Sequence, residues 1–473
     1  MNDNNTEPFW SVGENGRISL DNYNFKAFLE ANNFFKNKPN ENSTFNIICK
    51  KGIFLEIKDE VDIKDFVLNY VLDNQLGRNV YNLMTANLKF FKRDYLNMIQ
   101  SNEIEVLKDT KDIAYLFYKN GIVEVTEKGS TLKKYTDFNL SVWENQVIKR
   151  DYIKADHHDS EFRTFIWKIS GGYDTDNKND AEYLSAIDRY NTFQTVIGYL
   201  IHSYKTNGNN KAIILNDEMI SDEPNGRSGK GLFWNALKHL KKVQSIDGKQ
   251  FKFGGDFPYQ SVKTDCQVLV FDDVKRNFMF ENLFSVITEG IEITYKGKDT
   301  IKLPVQDSPK ILITTNYVIK GTGGSHEARK FEVELSTFFN AEHTPIDFFG
   351  HYLFDDWDTK EWARFDCYMI ECLKKYLTHG LMPYKSISLP YKRFEIELGK
   401  ELFECIKNIE KEVWINADDF YNEYIRSLSK SWDKKNKTKV TQSIKKYCDF
   451  FGLDYDSTKN GGVLKFILKY RTI

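Results

Sequence analysis

Three short apolar runs stand out against a largely polar background, at residues 211–215, 267–271 and 310–314. Each is rich in β-branched or branched aliphatic residues and bounded by polar turns, the pattern of a strand buried on both faces of a parallel sheet. Amphipathic stretches at 232–242 and 281–289 have the spacing of crossover helices between such strands. Any one run, taken singly, also fits a piece of buried helix. Upstream, residues 45–49 and 52–57 predict short strands and 63–73 a helix, so residues 1–175 read as a mixed α+β domain. The glycine-led polar stretch 171–180 suits a linker. Beyond 385, residues 417–428 and 438–451 predict two amphipathic helices. The runs 453–456 and 463–468 then flank the turn Lys459-Asn460-Gly461-Gly462. The pattern predicts three domains: 1–175, an α/β domain at 181–385, and a small domain at 386–473 whose helices and hairpin resemble a winged-helix module or else form a small packing domain with a solvated lysine face.

Composition narrows this picture. With 473 residues, 41% of them hydrophobic, and a formal net charge of −2, the chain has ample core material and is no basic coat for nucleic acid. Any nucleic-acid contact must come from a local patch or an enclosed channel. One such patch is at hand, since residues 430–446 carry seven lysines against one acid, Asp433. The six cysteines contain no C-x-x-C pair, which argues against a zinc ribbon or a disulfide framework. No apolar run approaches the roughly 20 residues a membrane helix needs, and residues 1–8 are polar and acidic. The expectation is a cytoplasmic protein without a membrane partner.

Four elements carry candidate chemistry. The first is Asn225-Gly226-Arg227-Ser228-Gly229-Lys230-Gly231, leading into an apolar helix. Such a turn aims backbone N–H groups at phosphate oxygens, the helix N-terminus adds partial positive charge, and the lysine bridges terminal phosphates. Pro224 replaces the first glycine of the usual loop and Gly231 the usual hydroxyl, so one Mg²⁺ ligand is missing. A plain glycine turn capping a helix is the alternative. The second is Asp272-Asp273, directly after the second apolar run, where Asp272 suits a metal and Asp273 the lytic water. A solvated turn fits equally if the pair is taken singly. The third is Asn316, at the end of the third run, able to hydrogen-bond a γ-phosphate and water, or else to cap a turn. The fourth is Arg329, before the alternating run 331–335, which fits a transition-state arginine or a surface charge.

In this order the four elements resemble the superfamily 3 helicases, the AAA+ motors of DNA viruses, phages and related plasmids, and most nearly the phage primase–helicases. The resemblance implies a Walker A loop at Gly226–Gly231, Walker B acids at Asp272-Asp273, a sensor at Asn316 and an arginine finger at Arg329 serving a neighbouring subunit. It further implies a homo-hexameric ring, ATP and Mg²⁺ as cofactors, single-stranded DNA in the pore, and contacts with other replication proteins. That family places a DNA-touching hairpin between the acids and the sensor. Residues 292–295 and 300–303 here flank Lys296-Gly297-Lys298-Asp299, a hairpin with lysines near its tip. The activity implied is ATP-driven DNA unwinding or translocation. A replication initiator or loader using ATP as an assembly switch, and a small-molecule kinase, remain open. The N-terminal region offers no clustered acids for a primase, and His157-His158-Asp159 lacks the bulky apolar residue that nicking enzymes place between their histidines.

Overall fold

The computed structural model describes residues 7–38, 45–218, 227–296, 300–321, 323–386, 388–428 and 434–471. The chain divides into two compact units, Met1–Lys385 and Ser386–Ile473. The larger is built on a five-stranded parallel sheet. Helix α1 (Glu161–Ile169) and helix α2 (Ala181–Ile201) lead into strand β1 (Ala212–Asp217), helix α3 (Lys230–Leu237) and strand β2 (Val243–Asp247). Strand β3 (Val268–Val274), helix α4 (Phe284–Thr288), strands β4 (Gly290–Ile293) and β5 (Ile301–Pro304), and strand β6 (Lys310–Thr315) follow. Helix α5 (Gly324–Arg329), strand β7 (Lys330–Leu335) and helix α6 (Thr359–His379) complete the core. The parallel sheet has the order β2-β3-β6-β1-β7.

Alternation along these strands explains why the apolar runs are continuous. Ile213, Leu215, Val268, Val270 and Leu312 face a core shared with α2, α3 and α6. Ala212, Ile214, Leu269, Phe271, Ile311 and Ile313 face a second core on the opposite side, shared with α4 and the β4–β5 hairpin. Both faces are covered, so no position along β1 can be polar until the strand reaches its end. Helices α2 and α6 cross closely at Gly198, where an added Cβ would lie 2.3 Å from the Cys372 carbonyl oxygen. The expected helix at 232–242 begins instead at Lys230 and ends at Leu237.

Upstream of α1, strands Asn46–Lys51 and Phe54–Lys58 pair antiparallel around Gly52, whose φ is +62°. Helix Glu60–Asp73 starts in a capping box, Asp59 accepting from the Asp62 backbone N–H and Asp62 from that of Asp59. Its buried Ile63, Val67 and Val71 follow the i, i+4 spacing read from the sequence. The meander Ala114–Tyr118, Gly121–Thr126 and Gly129–Lys133 contributes Leu116, Tyr118, Val123 and Val125 to the same core as the parallel sheet. Arg150 adds a polar tie, its Nε donating to buried Asp366 at 2.8 Å.

The smaller unit runs through helix α7 (Leu389–Leu398), helix α8 (Lys400–Lys407), strand β8 (Ile415–Asn416), helix α9 (Ala417–Ser427), helix α10 (Lys437–Phe451), and strands β9 (Leu453–Asn460) and β10 (Val463–Tyr470). Its sheet has the order β8-β10-β9, all antiparallel. No helix among the described residues is long and apolar enough to cross a membrane.

Candidate active site

In an open parallel sheet the carboxyl ends of the strands form a crevice, and here β1 sits at the point where the strand order reverses. Asp217 ends β1, Asp272 and Asp273 lie near the end of β3, and Asn316 follows β6. Lys230 opens α3. The structure brings all of these together. The Lys230 ammonium lies 2.6 Å from Asp217 Oδ2 and donates to Asn316 Oδ1 at 2.7 Å and Ser228 Oγ at 3.2 Å. Ser228 in turn donates to Asp217. The Asn316 amide donates to Asp273 Oδ1 at 3.4 Å, which closes a chain from the lysine to the acid pair.

The acid pair departs from the sequence reading in one respect. Strand β3 continues through both acids to Val274, rather than ending before them. Its register with β6 shifts between Phe271 and Val274, and Asp273 takes a φ of +55°, sparsely populated for a residue with a side chain. A bulge of this kind re-aims the side chains it carries. Thr314 Oγ1 pins the result, accepting from the Asp273 backbone N–H at 2.7 Å and donating to Asp272 Oδ1 at 2.7 Å. Lys249 pairs with the other face of Asp273, and that carboxylate raises the pKa of the lysine.

Within the glycine-rich segment, Asn225 and Gly226 (with Pro224) lie outside the described residues, and Arg227, Ser228, Gly229, Lys230 and Gly231 lie within them. Arg227 has a φ of +66° and Gly229 of +101°. At Gly229 a Cβ would also meet the Phe165 ring at 2.8 Å, so both backbone and packing require glycine there. At Gly231 an added Cβ would meet nothing within 4 Å. The loop's entry is anchored by buried Arg189, which donates to the Glu218 carboxylate at 3.0 and 3.3 Å.

Two expected site residues lie elsewhere. Arg329 sits at the amino end of β7, since Lys330 pairs with Ala212 while Leu335 pairs with Asp217. At about 3.3 Å per residue that is on the order of 20 Å from the acid and lysine network of the same chain. Its guanidinium lies 4.7 Å from the centre of the Phe284 ring and donates to the Ser325 carbonyl at 3.0 Å. Lys296 is exposed beyond β4, and Lys298 lies outside the described residues. The hairpin's paired residues are Gly290–Ile293 and Ile301–Pro304, and Ile291, Ile293 and Leu303 root it in the second core.

Sequence reasoning missed Asp217, Thr314 and Lys249. Asp217 follows a buried apolar run just as Asp272 does, so the same rule could have found it. Lys249 carries no local signal. A basic cleft of about 460 Å³ adjoins the network, lined by Lys275, Arg276, Asn277, Tyr317 and Lys320 just beyond the ends of β3 and β6. Asp156, His157 and His158 hold potential ligand atoms within 4.8 Å of one another, with Asp156 already capping the turn through the His158 N–H.

The oxygen-rich donor set of Asp217, Asp272, Asp273 and Ser228 fits a hard cation such as Mg²⁺, which prefers carboxylate and water oxygens. No family model matches the chain, and no curated protein matches it. Two weak structural neighbours are a JCV helicase and a Drosophila ORC bound to DNA. The helicase is 13% identical over 52% of this chain and 69% of its own, with a TM-score of 0.23. The ORC structure is 8% identical over 68% of this chain and 92% of its own, with a TM-score of 0.17. At those scores neither likeness says anything of this chain's function.

Proposed function

We propose that residues 181–385 form an AAA+ P-loop ATPase that drives DNA unwinding or translocation during replication, as a superfamily 3 motor of viral or phage type. The supporting observation is the meeting of Lys230, Asn316, Asp272 and Asp273 across the carboxyl ends of three parallel strands. The order β2-β3-β6-β1-β7 puts the glycine-rich loop after the strand at the switch point, where phosphate-binding loops belong.

On this reading ATP supplies the scissile phosphoanhydride and Mg²⁺ neutralises charge across its phosphates. Lys230 exchanges Asp217 for phosphate oxygens. Asp272, held by Thr314, offers its remaining oxygen to the water shell of the metal. Asp273 and the Asn316 amide orient the attacking water. Arg329 reaches a neighbour's nucleotide in a homo-hexamer, because its distance from the network in its own chain excludes a role there. Lys296 and Lys298 contact single-stranded DNA from the hairpin, and the winged-helix-like C-terminal unit adds a second DNA contact.

The test is ATP hydrolysis with and without single-stranded DNA, run beside strand displacement. Stimulated hydrolysis with displacement is the expected result. DNA-dependent assembly without displacement would select an initiator, and hydrolysis indifferent to DNA would sink the motor. The Lys296→Ala, Lys298→Ala double variant should lose DNA stimulation and keep basal turnover.

A further inference from the structure

The turn that leads into α1 carries side chains the ATPase reading does not use. Residues His157–Asp159 form a short 3-10 turn capped by Asp156, whose Oδ1 accepts from the His158 backbone N–H at 2.9 Å. The His157 carbonyl oxygen accepts from the Ser160 N–H at 3.2 Å, and the His158 carbonyl oxygen from the Arg163 guanidinium at 3.0 Å. From α6, Arg364 reaches the Asp159 carboxylate at 3.5 Å. These bonds fix the backbone of the turn by protein contacts alone, and they set three side chains next to one another. One ligand atom from each of Asp156, His157 and His158 lies within 4.8 Å of the other two. The two imidazole rings have their centres 4.4 Å apart.

The three donors are also able to close on a common point. Asp156 and His158 are exposed and His157 is half-buried. Among the described residues neither imidazole makes a side-chain hydrogen bond, so both rings keep their nitrogens for a ligand. Bonds of about 2.0–2.2 Å to a tetrahedral Zn²⁺ put its ligand atoms about 3.3–3.5 Å apart, so a closure of at most about 1.5 Å completes the set. Rotation of exposed side chains covers that distance without moving the backbone. Two carboxylates, Glu371 of α6 and Asp156 itself, favour positive charge at His157, against the Arg163 guanidinium. Two imidazoles with one carboxylate suit divalent transition cations of the zinc, nickel and copper class, whereas Mg²⁺ takes oxygen ligands.

We propose that Asp156, His157 and His158 bind one divalent transition cation of the Zn²⁺ class, with water completing its coordination. Bound there, the ion staples the turn from which α1 starts. Helix α1 is in turn tied to the core, its Glu161 carboxylate accepting from the Trp357 indole N–H at 2.7 Å. Its Phe165 ring is the group that a side chain at Gly229 would strike. The cation therefore stiffens the start of the helix against which the glycine-rich loop rests. Its nitrogen-rich donors differ in kind from the oxygen-rich set at Asp217, Asp272 and Asp273, and the inference stands whether or not the chain hydrolyses ATP.

The full chain, untagged and stripped with a chelator, is titrated with Zn²⁺ by calorimetry in an excess of Mg²⁺. One Zn²⁺ should bind per chain, and the thermal midpoint should rise with Zn²⁺ concentration, as it does for a ligand of the folded state. His157→Gln with His158→Gln should lower the affinity at least ~10-fold, the smaller end of the loss that even outer-shell partners cause. Asp156→Asn keeps an oxygen for the cap and should weaken Zn²⁺ binding as well. Circular dichroism should be unaltered in all of these variants. Because the six cysteines offer rival donors, Co²⁺ is the second probe. It should give d–d absorption without a thiolate charge-transfer band, and the double variant should lose that absorption. A thiolate band at the first equivalent, an unchanged affinity in the double variant, or no Zn²⁺ binding in the presence of Mg²⁺ overturns the proposal.

Discussion

The two ends of the parallel sheet both collect lysines, and they treat them in opposite ways. At the carboxyl end Lys230 sits beside the Asp217 carboxylate, in a crevice where that partner can be exchanged. At the amino end Lys205, Lys241 and Lys310 are buried together with His202. Two of them bond neutral groups: Lys310 donates to the Tyr199 carbonyl oxygen and lies 3.8 Å from the centre of its ring, and Lys241 donates to Ser203 Oγ at 3.0 Å. Burial pulls Lys205 down to about 8 and lowers Lys241 and Lys310 as well. His202 is pulled to about 4, chiefly by burial, with its Nε2 bonded to the Thr110 carbonyl oxygen at 2.8 Å. An ammonium facing a removable carboxylate can recruit phosphate. Lys241 and Lys310, held by a neutral hydroxyl and a carbonyl with the Asp109 carboxylate acting on both, tune stability instead.

The sharpest way to break this contrast is Lys230→Ala. Hydrolysis should fall at least ~100-fold, the usual scale for removing one preorganised charge contact to a transition state. Circular dichroism should be unchanged, and retained turnover would move the nucleotide site elsewhere. Asp273→Asn comes next: nucleotide should still bind, measured by a fluorescent ATP analogue, while kcat falls by roughly 10²-fold. A folded variant that no longer binds nucleotide would reverse the roles of Asp272 and Asp273.

At the amino end the effect is on stability and pH. Between pH 6.5 and about 4 the unfolded chain binds a proton at residue 202 that the folded chain refuses, so stability should fall as pH falls through that window. The loss approaches about 3 kcal/mol at about 1.4 kcal/mol per pKa unit. His239, also pulled to about 4 by burial, adds to the same slope. Lys205 adds a second window of the same sign on the alkaline side: the unfolded amine holds its proton between about 8 and 10.5, so stability should rise with pH there. Denaturant melts across pH would show both, and His202→Gln should flatten the acid limb. An unchanged limb would mean that His202 is not the neutral, buried group described.

The smallest effect belongs to Gly231. A serine there meets open space, and its hydroxyl restores the metal ligand usual at that position. Gly231→Ser should lower the Mg²⁺ concentration for half-maximal hydrolysis a few-fold. No change in Mg²⁺ dependence would place residue 231 away from the metal.

Much of the larger unit's core was legible because its strands are buried on both faces. That burial forces continuous apolar runs at 211–215, 267–271 and 310–314, and acids or amides at their ends then mark the crevice. Local spacing also announced the C-terminal helices and the turn at Gly461-Gly462, since capping, amphipathic period and positive φ are decided within a few residues. Other features depend on partners far along the chain. The bulge that turns Asp273 rests on Thr314, 41 residues away. The need for glycine at 229 comes from Phe165, and the restraint on Lys230 from Asp217 and Asn316. Sequence alone determined which residue types stood at strand ends and loop starts. Only the tertiary structure decided which of them meet, because parallel strands bring together residues that are distant in sequence, and it set Arg329 at the opposite end of the sheet from the rest.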